Sequence, residues 1–140
     1  MTVLNATDVR KNWSLTLDAV SHGRPAYIKR THDNLAIMDV PTLNTILGGY
    51  KYYADSYQED DGSVTLSLKD LDIVVNDVDM EATKRRLAAY IKEYAEEFYS
   101  EYDLWSNAPN RKPHIPYVFK ALTLDENSIL EEIICQDGKN

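Results

Sequence analysis

The spacing of hydrophobic and polar positions changes several times along the chain, and each change marks an element. Val3-Leu4 reads as a short strand. Val9, Trp13, Leu17 and Val20 recur at steps of four, four and three, which predicts one apolar helix face. Thr7 is placed to cap that helix, with Asp8 in its first turn. Gly23 and Arg24-Pro25 stop it. Tyr27 to Arg30 and Leu35 to Val40 are strand-like, joined by the polar hairpin loop Thr31-His32-Asp33-Asn34. Pro41 suits the start of a helix through Leu43, Ile46 and Leu47.

The pattern breaks at residues 48–62, where Gly48-Gly49 leads into a tyrosine-rich stretch and then Gln58-Glu59-Asp60-Asp61-Gly62. Residues 49–62 therefore read as a linker or connecting helix. Beyond it, Ser63 to Leu68 alternates as a half-buried strand does, and Leu71 to Val75 predicts a second strand. Asn76-Asp77 marks a turn, and Asp79 is placed to cap a long helix. Met80, Thr83, Leu87, Tyr90, Ile91, Tyr94, Phe98 and Tyr102 lie on one side of that helix, with Lys84, Arg85, Lys92, Glu93 and Glu96 opposite. Residues 106–113 break it. A helix is expected from Ile115 to Leu124, and Asp125 is placed to cap a last one reaching Cys135. The fold class is α/β, in the α+β sense, with units at residues 1–48 and 63–140.

Composition excludes several classes. With 44% hydrophobic and 27% charged residues, the 140-residue chain matches an ordinary globular protein. No run of about 18 apolar residues exists, and the first residues lack the apolar core of a secretory signal. The single cysteine, Cys135, has no partner for an internal disulfide. A cytoplasmic protein with no membrane association is the expectation. The net charge of −8 argues against a simple basic nucleic-acid binder, but it is unevenly spread. Residues 1–50 carry five Lys/Arg against four Asp/Glu, a net +1, which leaves −9 for the other 90. Two unlike units imply two unlike partners.

Candidate chemistry is sparse. Cys135 and His114 could be nucleophile and base, but no orienting third group is indicated. His22, His32 and His114 lack metal-ligand spacing. Gly48-Gly49 is not followed by a phosphate-loop lysine. Asp60, Asp61, Asp70, Asp72, Asp77 and Asp79 read as turn formers and caps before they read as a hydrolase cluster. No catalytic, cofactor or metal site is therefore expected. Arg10-Lys11-Asn12 is more informative, because it falls in the first turn of the expected first helix, off its apolar face. Cations beside a helix N-terminus suit a phosphate backbone. Lys29-Arg30 flanks the hairpin and could share that surface; a merely solvated face is the alternative. Tyr90, Tyr94, Phe98 and Tyr102 fit one core-facing stripe. Tyr50, Tyr53 and Tyr57, with Trp105, are candidate partner-binding anchors, against simple core or dimer packing.

The run from Leu4 to Leu15, then Leu17-Asp18-Ala19-Val20, Gly23 to Arg30, and Leu35 to Pro41 resembles the Phd/YefM antitoxins. Trp105-Ser106-Asn107-Ala108-Pro109-Asn110-Arg111-Lys112 resembles a segment of longer Phd-like chains, and Asp72 to Asn76 before a helix is faintly similar to HicB antitoxins without their turn glycine. The resemblance implies an N-terminal unit that dimerises, or assembles further, and binds operator DNA to repress its own operon. It assigns DNA contacts to Arg10 and Arg30; Lys11, Asn12 and Lys29 are added as their neighbours. It also implies that the C-terminal region neutralises a small basic toxin, a ribonuclease of the RelE type. The second unit is longer and more folded than the family's usual tail. Two rivals stand beside this reading: a DNA-binding regulator whose second unit senses a ligand or protein, and a metal-dependent nuclease or hydrolase using the carboxylates.

Overall fold

The helix expected from Thr7 is two helices in the computed structural model, which describes residues 2–138: α1 (Ala6–Lys11) and α2 (Trp13–Ser21). Asn12 makes the joint. Its backbone N–H and side-chain amide both donate to the Asp8 carbonyl, and its own carbonyl accepts from Thr16. The break rotates the second half of the apolar stripe, so Val9, Thr16 and Val20 are buried while Trp13 and Leu17 are 48% and 40% exposed. The cap is also two residues earlier than expected: it is Asn5, whose Oδ1 accepts from the Thr7 N–H at 2.7 Å.

These helices accompany a three-stranded sheet of β1 (Val3–Asn5), β2 (Ala26–Arg30) and β3 (Asp33–Ile37), in that order. β1 runs parallel to β2, with Asn5 opposite Lys29, and β3 runs antiparallel. Arg30 faces Asp33, so the hairpin turn is only Thr31-His32, shorter than the polar run implies. Thr31 has φ 54°, a left-handed conformation that a β-branched residue resists. α3 (Val40–Ile46) follows, with the Asp39 carboxylate accepting from the Thr42 N–H. The first compact unit ends at Ile46.

The second unit begins at Leu47, and the expected linker is one of its strands. β4 (Tyr52–Gln58) alternates Tyr52 and Ala54, fully buried, with outward Tyr53 and Tyr57. Its polar composition hides a two-residue period. The turn falls at residues 59–62, where Gly62 has φ 86° and Asp61 accepts from the Ser63 N–H. β5 (Val64–Leu68) buries Val64, Leu66 and Leu68 as its alternation requires. A tight turn at Lys69–Leu71 precedes β6 (Ile73–Asp77), which starts two residues later than expected because Asp72 is left-handed, φ 55°.

α4 (Met80–Ser100) is capped by Asp79, whose carboxylate accepts from the Ala82 N–H. α5 (Tyr102–Ser106), α6 (Ile115–Leu122) and α7 (Glu126–Glu131) follow, Asp125 capping α7. The chain then forms β7 (Ile133–Asp137), not a continued helix: β-branched Ile133 and Ile134 pair in parallel with Tyr52 and Tyr53. The sheet order is β6-β5-β4-β7. Lys139 and Asn140, the last positions of the expected second unit, lie outside the described residues.

One face of this sheet and the inner faces of the helices make the core. Tyr52, Leu66, Leu68, Leu87, Ile91, Phe98, Val118 and Ile129 are fully buried. Each such side chain contributes about 1.5–3 kcal/mol of burial. Tyr90 falls outside the expected stripe and is exposed, while Ala88 and Ala95 take the inner positions. Lys92 leaves the charged face, its ammonium donating to the carbonyls of Ala121, Leu122 and Leu124 at the end of α6.

A polar tie holds β4, α6 and β7 together. Lys120 is buried, and its Nζ donates to the Tyr50 carbonyl at 3.0 Å and lies 3.3 Å from the Glu132 carboxylate. Lys51 pairs with the same carboxylate, which is thereby held below the usual range. Removing one partner of a buried pair leaves the other charge uncompensated. Glu132→Gln is expected to destabilise the protein by about 3 kcal/mol, read from denaturant melts; a loss below about 0.5 kcal/mol would show that the Tyr50 carbonyl alone satisfies Lys120.

Candidate functional site

In the first unit, the turn between β1 and α1 meets the end of β2. A cleft of about 560 Å³ forms there, lined by Asn5, Ala6, Thr7, Arg10, Lys29, Arg30 and Thr31. Register explains it: Asn5 and Lys29 are neighbours across the parallel pair, and α1 begins directly after Asn5. Three of the five residues singled out from sequence therefore share one cleft. Lys11 and Asn12 do not line it; Asn12 is committed to the α1–α2 joint. Arg10, Lys11, Lys29 and Arg30 are exposed and, among the described residues, no carboxylate pairs with them.

The expected help from the helix dipole is absent. Arg10 and Lys11 occupy the last turn of α1, not the first. There they favour the helix's negative end and do not add to a positive one. What the site offers is side-chain cation density beside a strained hairpin. Asn5, Thr7 and Thr31 were missed from sequence, because their place in the cleft depends on strand register.

The four aromatic anchors expected from sequence do not form one strip. Tyr53 and Tyr57 share the outer face of β4, Tyr57 packed under Gly138. Tyr50 precedes the strand, its ring edge-on to Tyr117 at 5.4 Å. Trp105 is half-buried, stacked on Tyr94 and edge-on to Phe98, with the Arg111 guanidinium 4.4 Å above its ring.

That aromatic stack borders a second cleft, of about 280 Å³, that includes Asp72, Tyr94, Arg111 and His114. Arg111 Nη1 donates to the Tyr94 hydroxyl at 3.1 Å, and the same hydroxyl is hydrogen-bonded to His114 Nδ1 at 2.6 Å. His114 Nε2 lies 3.8 Å from the Asp72 carboxylate. Burial pushes the His114 pKa down, with Asp72 pulling the other way. Cys135 lies in β7, at the opposite sheet edge from β6, so it is no partner for His114. Its thiol is pushed up by burial.

Three of the six aspartates considered as a hydrolase cluster serve locally. Asp61 and Asp79 cap backbone N–H groups, and Asp77 binds the Val78 N–H and Arg86. Among the described residues, no three of His, Cys, Asp and Glu are placed to hold a metal ion. No helix among them is long and apolar enough to cross a membrane.

The chain is thus a two-unit α+β protein with a basic cleft in its first unit and a larger, acidic second unit. Residues 1–135 match the family model described as the antitoxin of a RelE/RelB toxin–antitoxin system, and the chain belongs to that family. It is also similar to a crystal structure from Syntrophomonas wolfei subsp. wolfei of an antitoxin, part of a proposed toxin/antitoxin system. The TM-score is 0.93 and the identity 29%, covering 99% of this chain and 100% of that one. No curated protein matches it. Family membership makes a toxin its counterpart.

The His114 arrangement has a signed consequence. The fold favours neutral imidazole, so as pH falls below about 6.5 the unfolded chain takes up the proton first. The stability this group contributes is full above that pH and lost as pH falls towards the lowered folded-state pKa. The melting temperature is expected to drop between pH 7.5 and 5.5, and His114→Gln to flatten that drop. An unchanged slope in the variant would place the acid sensitivity elsewhere.

Proposed function

We propose that this antitoxin represses its own operon by binding operator DNA through a homodimer of its first unit, and that its second unit neutralises a small, basic ribonuclease toxin in the cytoplasm. The cleft that gathers Arg10, Lys29 and Arg30 without carboxylate partners carries the DNA half. Phosphates position such a protein, and arginine forks read base edges. Lys11 adds charge nearby.

Dimerisation has its own support. Among its described residues the first unit buries only Val9, Thr16, Val20, Ala26 and Ile28, a small core for a unit of this length. It leaves Val3, Trp13, Leu15, Leu17, Tyr27 and Leu35 exposed. A second copy would cover part of that surface and double the cations presented to DNA, which a unit of net +1 needs. The toxin half is supported by charge: a ribonuclease must bind a polyanion, so its working surface is basic, and the −9 of the remaining chain is complementary to it.

Fluorescence anisotropy with the chain's own upstream DNA, titrated with salt, tests the repressor half. Arg10→Ala is expected to weaken binding by about 1–3 kcal/mol, and Arg10→Ala/Arg30→Ala to lower the salt slope by about two per protomer. Wild-type affinity in the double variant would remove these arginines from the DNA interface.

A further inference from the structure

The outward side of the last turns of α4, continued into α5, breaks the rules that stabilise a helix. Glu93 lies three residues before Glu96 and four before Glu97, Glu97 lies four before Glu101, and no basic residue lies in the last turn. Like charges at these spacings repel, and carboxylates at a helix C-terminus oppose its dipole. None of these four, nor Asp103, has an ion pair among the described residues. Two large side chains are exposed among them, Tyr99 at 64% and Leu104 at 68%. The surface between them is concave: a cleft of about 380 Å³ is lined by Tyr99, Ser100, Glu101, Tyr102, Asp103 and Leu104.

We infer that this α4–α5 corner is the docking site of a basic segment of the toxin, a lysine or arginine side chain entering between Tyr99 and Leu104. The inference rests on the toxin-binding reading above. The chemistry of the cleft selects the occupant. Tyr99, Tyr102 and Leu104 are apolar walls for an aliphatic stem, and an aromatic face accepts a cation. Glu101 and Asp103 are acceptors for the charged head. An anionic or purely apolar partner would meet Glu101 and Asp103, which line the cleft without an ion pair among the described residues. A cationic one removes their mutual repulsion and the conflict with the helix dipole, so the local cost in the free protein is recovered on binding.

The test uses the full chain and the purified product of the reading frame adjoining its own, titrated by calorimetry. Three proteins are compared: wild type, Tyr99→Ala/Glu101→Gln/Asp103→Asn, and the control Glu59→Gln/Asp60→Asn, which removes the same two charges from the β4–β5 turn. The corner variant is expected to bind about 30-fold or more weakly and the control to change by less than about threefold. Corner-variant binding within threefold of wild type overturns the inference alone, as does an equal loss in the control, which would make the effect one of total charge. No binding by wild type overturns the toxin-binding reading with it. The corner variant is also expected to melt no lower than wild type; a fall would make these side chains structural and overturn the assignment.

Discussion

The second unit depends on one pairing: its last strand, β7, lies in parallel against its first, β4, with Tyr52 opposite Ile133. Everything from the β4–β5 turn to α7 is held inside that closure. β4 is thereby an interior strand, which is why Tyr52 and Ala54 carry no exposed surface. Buried this deeply, the Tyr52 hydroxyl needs an acceptor, and the Tyr117 carbonyl supplies it at 2.8 Å. The Lys120–Glu132 pair sits at the start of the same closure, joining α6 to the residue just before β7. Hydrophobic burial provides most of the stability here. The polar ties select this register, since a one-residue slip would turn Tyr52 out and Tyr53 in.

What could be read from sequence follows from how local each signal is. Ser63 to Leu68 showed its strand because one face is buried and the other is not. Asp79 and Asp125 showed their caps because the acceptor and its N–H lie three residues apart. β4 was hidden: Tyr-Tyr-Ala-Asp-Ser-Tyr-Gln reads as polar linker unless Tyr52 and Ala54 are taken as one face. β7 was hidden for another reason, since its partner lies 81 residues away and nothing nearby distinguishes Ile133-Ile134-Cys135 from a helix end. The α1–α2 break turned on Asn12 holding the Asp8 carbonyl, a local hydrogen bond that outcompeted a continuous helix.

The candidate DNA site was legible as residues but not as a place. Arg10 and Arg30 stand out by type and by resemblance, yet their shared cleft exists because β1 pairs in parallel with β2 and α1 starts one residue after Asn5. The same geometry excluded Lys11 and Asn12 from the cleft and moved Arg10 to the wrong end of its helix for a dipole argument.

Among the described residues, Thr31 in a left-handed turn beside the basic cleft and the run of carboxylates at the end of α4 both disagree with local physics. Such conflicts persist where a function compensates for them. They also bear opposite charge, which links the two proposed activities. The −9 of the chain beyond residue 50 repels a DNA backbone, to an extent set by distance and screened over about 10 Å at 0.1 M salt. A cationic partner that covers the acidic corner lowers whatever part of that repulsion reaches the DNA, and to that degree it would favour DNA binding by the first unit. By linkage, DNA must then favour the partner to the same degree. On the proposed function, the chain's uneven charge would couple occupancy of the second unit to repression by the first to the extent that their separation leaves the repulsion unscreened.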